Sequence, residues 1–213
     1  MELDEYVRCL LAGDEDACLA NGRELVKGLE GLHALYVDII QPSQYRVGEL
    51  WEQGAISVAA EHLATATNRF VASTCYASVA GATAGGPRAL IACVPDELHE
   101  LGPRLLADLL ECDGWDVDFY GASMPVRDLV EAVAGRAPRF VGLSAALGMH
   151  LGSVKHAIEA VRARLGSGTP PIVVGGNAFR GSPDLWKKVG ADMYAADASA
   201  AVEMLRVFKE AAP

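Results

Sequence analysis

The sequence predicts an N-terminal all-α four-helix bundle followed by an α/β domain, flavodoxin- or Rossmann-like, built on a five-stranded parallel sheet. Three observations predict it. Residues 1–80 keep apolar side chains at three- and four-residue spacing, and "GATAGGPR" at 81–88 interrupts that rhythm with small residues. From Ala89 onward, short apolar runs alternate with amphipathic segments, the pattern of strands joined by crossover helices. The expected organisation is a bundle over 1–80, a linker over 81–88 and an α/β domain over 89–213.

In chain order, "LDEYVRCLL", "DEDACLANGRELVKGL", "LEGLHALYVDII", "PSQYRVGELWEQG" and "SVAAEHLATATNRFVASTCYASV" read as helical segments. Asp14 and Ser57 suit N-caps, because their side-chain oxygens accept from the unpaired N–H groups of a first turn. Pro42 lies where a first-turn proline is tolerated, and marks the point at which one helix of the bundle would break. Gly54 supplies a stop.

The strands follow as "ALIACV", "WDVDFYG", "RFVGLSAA", "PIVVGG" and "MYAAD". Five parallel strands at this size favour the order 2-1-3-4-5, whose ligand crevice lies outside the carboxyl ends of the first and third strands. Those ends carry "PDELHELG" (95–102) and "SAALGMH" (144–150). His99, set among Asp96, Glu97 and Glu100, is thereby placed at the crevice.

Composition narrows the chemistry. Although 51% of the 213 residues are hydrophobic, no apolar run approaches the ~20 residues a membrane-spanning helix needs, so no membrane partner is expected. The opening "MELDEYVRCLLAGDEDA" lacks the basic start and apolar centre of a signal peptide, which points to the cytoplasm. Five scattered cysteines without a CxxC pair fit neither a disulfide framework nor a cysteine zinc site. A net charge of −10 without a clustered basic face disfavours nucleic acid.

Several nucleotide and catalytic signatures are absent. The first strand is not followed by GxGxxG, and the three acids there would repel a phosphate; GxxxxGK[ST] and GxSxG are also missing. A response-regulator fold would need an Asp at the end of the third strand, where Ser144 and Ala145 stand. As a metal ligand, His99 has a carboxylate to orient it in Glu97 or Glu100, but no second His or Cys at ligand spacing. That set suits a metal bringing its own equatorial ligands, as a tetrapyrrole does. The plain alternative is a solvated loop histidine among surface acids.

"ELHELG", residues 97–102, resembles the DxHxxG signature of cobalamin-binding domains in an ExHxxG form. The resemblance implies that His99 is the lower axial cobalt ligand, Glu97 the acid that hydrogen-bonds it, and Gly102 the residue that admits the corrin edge. It implies that the nucleotide tail of the cofactor runs past Ser144 and Leu147 toward Gly175 and Gly176, with "SAAL" one position away from the usual SxL. His150 stands where a small hydroxyl partner is sometimes found. It also implies that the bundle caps the corrin's upper face.

Trp51, followed by Glu61 and His62, is similar to the Wx9EH signature of the CarH-type cobalamin photoreceptors. This implies adenosylcobalamin, held base-off, with Trp51 against the adenosyl group and the Glu61–His62 pair holding it. Glu52 follows Trp51 where some members carry a histidine, which implies a photoproduct ligated by water or by another histidine such as His62. With no helix-turn-helix ahead of the bundle, the expected output is light-dependent homo-oligomerisation or a separate signalling partner. The alternatives are a corrinoid methyl carrier serving methyltransferases and a light-independent cobalamin-binding or storage protein.

Overall fold

A computed structural model of the chain describes residues 2–81, 85–182 and 184–210. The chain divides into two compact units, Met1–Gly81 and Ala82–Pro213. Of the expected linker at 81–88, residues 82–84 lie outside the described residues, and Arg88 already belongs to the first strand.

The first unit contains α1 (Leu3–Ala12), α2 (Glu15–Leu25), α3 (Leu29–Ala34), a π-helical stretch Leu35–Ile40, α4 (Gln41–Glu52) and α5 (Val58–Val79). Gly13 ends α1 in the left-handed region at φ 70°, and the Asp14 side chain then accepts from Ala17 N at 3.0 Å to start α2. Ser57 caps α5 in the same way, accepting from Ala60 N at 3.2 Å. Two expectations are corrected. The second helix stops at Leu25 rather than running through "VKGL", because the chain doubles back so tightly that a Cβ on Gly31 would stand 2.2 Å from the Leu25 carbonyl oxygen. Pro42 breaks nothing: Ile40 and Gln41 keep right-handed helical angles, so α3, the π stretch and α4 form one rod. The wider π turn ahead of Pro42 relieves the conflict between the proline ring and the carbonyl four residues back. The core of this unit is Tyr6, Leu10, Leu32, Leu35, Tyr36, Ile40, Val47 and Val71.

The second unit alternates β1 (Arg88–Cys93), α6 (Leu101–Cys112), β2 (Asp116–Gly121), α7 (Val126–Arg136), β3 (Phe140–Ser144), α8 (Leu151–Leu165), β4 (Ile172–Gly175), α9 (Leu185–Lys188), β5 (Met193–Tyr194) and α10 (Ala198–Glu210). Every ladder is parallel and the order is β2-β1-β3-β4-β5, as the alternation predicts. β5 keeps only two of the five residues in "MYAAD". Leu90, Val141, Leu143, Ile158, Val161, Ile172 and Val174 fill the core, which explains the near-continuous apolar runs of β1, β3 and β4. Cys93 pairs with Ser144 and Ser144 with Gly175, so the strand ends that matter for a ligand come out level.

Candidate functional site

The loop after β1 is built around one carboxylate. Val94 N donates to Ser144 O, and Ser123 N donates to Glu97 O, which ties the loops after β1, β2 and β3 together. Asp96 adopts φ 67°, a left-handed turn that aspartate tolerates better than most residues, and its N–H is taken by Ser123 Oγ at 3.1 Å. The turn drives the Glu97 side chain inward, where it is fully buried.

There, Glu97 Oε1 accepts from His99 N at 2.9 Å and lies 2.5 Å from His99 Nδ1. Its Oε2 accepts from Ala146 N at 2.7 Å and Leu147 N at 3.3 Å, and lies 2.9 Å from His150 Nδ1. A buried carboxylate without partners would be protonated. Burial does push the Glu97 carboxyl up, but the hydrogen bonds from His99, His150 and Ala146 outweigh it and hold the group well below the usual carboxylate range. An ionised Glu97 can only accept, so both imidazoles turn an Nδ1–H toward it, and a neutral ring held this way carries its lone pair on Nε2. The His99 side chain is 59% exposed, so the ring is anchored at one edge and presented at the other.

Of the two acids that flank His99, Glu97 is the one bonded to its Nδ1. Glu100 turns the other way, its Oε2 accepting from Ala122 N at 3.0 Å beside Gly121. Beneath them Cys93 is inert: burial, with Glu97 and Glu100 nearby, pushes its thiol up to about 12.

The remaining expected residues separate by what glycine or exposure does for them. A Cβ on Gly102, in the first turn of α6, would meet nothing within 4 Å, so the protein's own packing does not demand glycine there. Gly176 is the opposite case: at φ 100° its Cβ would stand 2.2 Å from Ala145 O, and glycine is needed to join β4 to the loop after β3. Gly175 is the last residue of β4 rather than a loop residue, and Ser144 is nearly buried at the end of β3. Leu147 contributes a backbone N–H to Glu97 and leaves its side chain partly exposed.

Leu98 at 71% exposure and Met149 at 80% each immediately precede one of the two histidines, and neither belongs to the ExHxxG pattern. Leu147, in the same loop after β3 as Met149, adds a third exposed apolar side chain on the loops that carry His99 and His150. Among the described residues no group of three or more His, Cys, Asp or Glu would hold a bare metal ion. One oriented imidazole, on loops that expose apolar side chains and with open space at Gly102, fits a metal already ringed by a macrocycle.

In the helical unit, Trp51 lies in the last turn of α4 and is 47% exposed. Glu61 and His62 lie in the first turns of α5, with His62 Nδ1 2.5 Å from Glu61 Oε2. The other carboxylate oxygen, Oε1, accepts from Thr65 Oγ1 at 2.8 Å, a partner the motif did not name. Along α5 an open cavity of about 390 Å³ is lined by His62, Thr65, Ala66, Arg69, Phe70 and Ser73.

Residues 87–204 match the B12 binding domain family, and residues 2–75 match a second family of the same description. The chain is 31% identical over 172 residues to the HTH-type transcriptional repressor CarH of Myxococcus xanthus, covering 80% of this chain and 56% of that one. It is 28% identical over 110 residues to dimethylamine corrinoid protein 3 of Methanosarcina acetivorans, covering 51% of this chain and 50% of that one. The chain thus spans about half the length of the curated relatives it matches. Among solved structures, the monomethylamine corrinoid protein of Methanosarcina barkeri superposes with a TM-score of 0.81 at 16% identity, over 96% of this chain and 97% of that one, a likeness of fold.

Proposed function

The chain belongs to the B12-binding domain family, and from that premise we propose that it is a cobalamin-binding light sensor holding adenosylcobalamin base-off, with His99 as the lower cobalt ligand. The observation that carries the lower-face assignment is the buried Glu97 carboxylate, which takes His99 Nδ1 and so makes Nε2 the nitrogen that would meet the cobalt. Leu98, Leu147 and Met149 supply apolar contact for a corrin underside, Gly102 leaves room for its edge, and Ser144 with Gly175 and Gly176 flanks the path of the nucleotide tail.

For the upper group, the helical unit offers Trp51, Glu61 and His62. An adenosyl group has an aromatic face and polar edges, so an exposed tryptophan and a fixed acceptor pair suit it, whereas a methyl group would need only an apolar lid. When bound, adenosylcobalamin supplies a cobalt–carbon bond that light breaks. Residues that hold the intact upper group lose their partner once it leaves, and a helical unit with different affinity for the two forms shifts its conformation or association. In the photoproduct, His62 or a water would hold the upper position of the cobalt. We assign residues 1–80 to the cap, 81–88 to the linker and 89–213 to the cobalamin domain, in a cytoplasmic, non-enzymatic protein. Its partners are copies of itself or a separate signalling protein, with neither nucleic acid nor membrane as a direct one.

The methyl-carrier reading is favoured by the dimethylamine corrinoid relatives. Reconstitution in darkness with adenosylcobalamin, followed by a green pulse, separates the two. The sensor reading expects a lasting change of spectrum together with a change in elution volume on gel filtration. Unchanged elution with efficient methyl transfer to a partner methyltransferase would replace it with the carrier reading.

A further inference from the structure

The interior of the helical unit is crossed by a run of polar side chains that ends on Glu61. Tyr6 OH donates to Asn68 Oδ1 at 3.0 Å, and Asn68 Nδ2 donates to Gln44 Oε1 at 2.9 Å and Ser43 Oγ at 3.1 Å. Gln44 Nε2 donates to Thr65 Oγ1 at 2.5 Å, and Thr65 Oγ1 donates to Glu61 Oε1. Tyr6, Ser43 and Asn68 are completely buried, and the run joins α1, α4 and α5. Burying polar side chains in a small bundle is unfavourable unless each finds a partner, and each member of this run does.

The run has a direction. Because the Asn68 amide nitrogen faces Gln44, the Gln44 oxygen must accept and its nitrogen must donate onward. Thr65 Oγ1 therefore receives a hydrogen from Gln44 and commits its only proton to Glu61. Both oxygens of Glu61 are thus fixed, Oε1 by Thr65 and Oε2 by His62 Nδ1. On an exposed helix end a glutamate samples many rotamers, and this one is held in a single orientation from inside the bundle.

We propose that Gln44, Thr65 and Asn68 are positioning residues that fix the Glu61 carboxylate and so set the preference for an upper cobalamin group bearing hydroxyl and amino donors over an apolar one. The inference rests on the assignment of Glu61 to the upper group. A carboxylate with fixed lone pairs rewards donors placed to meet them, whereas a mobile one must first lose its rotamer freedom.

The test is the ratio of adenosylcobalamin to methylcobalamin affinity, measured by absorption titration of the full chain in darkness. Thr65→Val keeps the shape and removes the donor to Glu61; it is expected to lower the ratio about tenfold while leaving methylcobalamin affinity within about twofold. Thr65→Ser restores the ratio, and Gln44→Met, cutting the run from the other helix, reproduces Thr65→Val. Glu61→Gln lowers the ratio at least as far. If Glu61→Gln lowers it and Thr65→Val does not, the positioning role is wrong. If neither moves it, the upper-group assignment of Glu61 fails and the positioning role fails with it. A purely structural run would lower the melting temperature of each variant and leave the ratio untouched.

Discussion

His150 Nδ1 lies 2.9 Å from Glu97 Oε2, so the carboxylate that orients His99 through one oxygen is itself held by a second imidazole through the other. Ala146 N and Leu147 N share that second oxygen, which makes Glu97 the clasp between the loops after β1 and β3. The clasp is charged, and its charge is testable.

Glu97 is held below the ordinary carboxylate range in the folded chain, because its hydrogen bonds outweigh burial. A carboxyl with a depressed folded pKa adds stability that is fully present above its unfolded value, near 4.3, and is lost as pH falls toward the folded value. Urea unfolding should therefore show about 2 kcal/mol of acid-sensitive stability between pH 5 and pH 3 that Glu97→Gln lacks. Equal acid slopes for the two proteins would contradict an ionised clasp.

His150→Ala removes one of three donors to Oε2 and leaves the two backbone N–H groups in place. We expect a loss of roughly 1–2 kcal/mol in thermal or urea unfolding, with the His-on spectrum of bound cobalamin retained. Glu97→Ala removes the anchor of His99 itself, and that spectrum should be lost or shifted. If His150→Ala abolishes it as fully as Glu97→Ala, the second imidazole acts on the ligand more directly than the geometry indicates.

Much of this was legible in the residues. The two hydrophobic periods, the N-caps Asp14 and Ser57, the strand order and the placement of "PDELHELG" and "SAALGMH" at one edge follow from local pattern and sheet topology. Residue type alone leaves Glu97 and Glu100 open, since both flank His99; the ExHxxG resemblance points to Glu97, and the fold shows Glu97 turned inward against the ring and Glu100 bonded to Ala122 N. The π stretch before Pro42 was hidden because helix period alone does not show how an i−4 clash is absorbed. The polar run escaped for a different reason: its hydrogen bonds between helices join residues 21 to 62 positions apart. One signal was available, in that Glu61, Thr65 and Asn68 recur at helical spacing on the side of α5 that also carries buried Ala72 and Cys75.

Cys93 lies under the Glu97 loop with its thiol pushed up to about 12 by burial and by neighbouring Glu97 and Glu100. A thiol at that value carries almost no thiolate at pH 8 and should resist iodoacetamide in the folded chain. Peptide mass spectrometry should find Cys93 alkylated only after denaturation. Rapid labelling of the native protein would mean that the loop over it opens readily.

Two glycines of the α/β unit separate fold from function. At Gly176 the backbone is left-handed at φ 100°, and a Cβ would press to 2.2 Å from Ala145 O, a backbone atom that cannot move aside cheaply. Gly176→Ala should destabilise the protein by roughly 3 kcal/mol or more, seen as a large fall in melting temperature whether or not cofactor is present. At Gly102 the space is open and the residue sits in a helix, where alanine narrows the unfolded ensemble and is favoured by about 0.4–1 kcal/mol. Gly102→Ala should therefore raise the apo melting temperature slightly. If Gly102 is glycine to admit the edge of a corrin, the same variant should also bind cobalamin at least tenfold more weakly, since a methyl group held by a rigid helix excludes a rigid macrocycle. A stabilised protein with weakened binding would be the mark of a residue kept for its ligand. A stabilised protein with unchanged binding would remove Gly102 from the site and leave His99 and the exposed apolar side chains of the two loops to hold the cofactor without it.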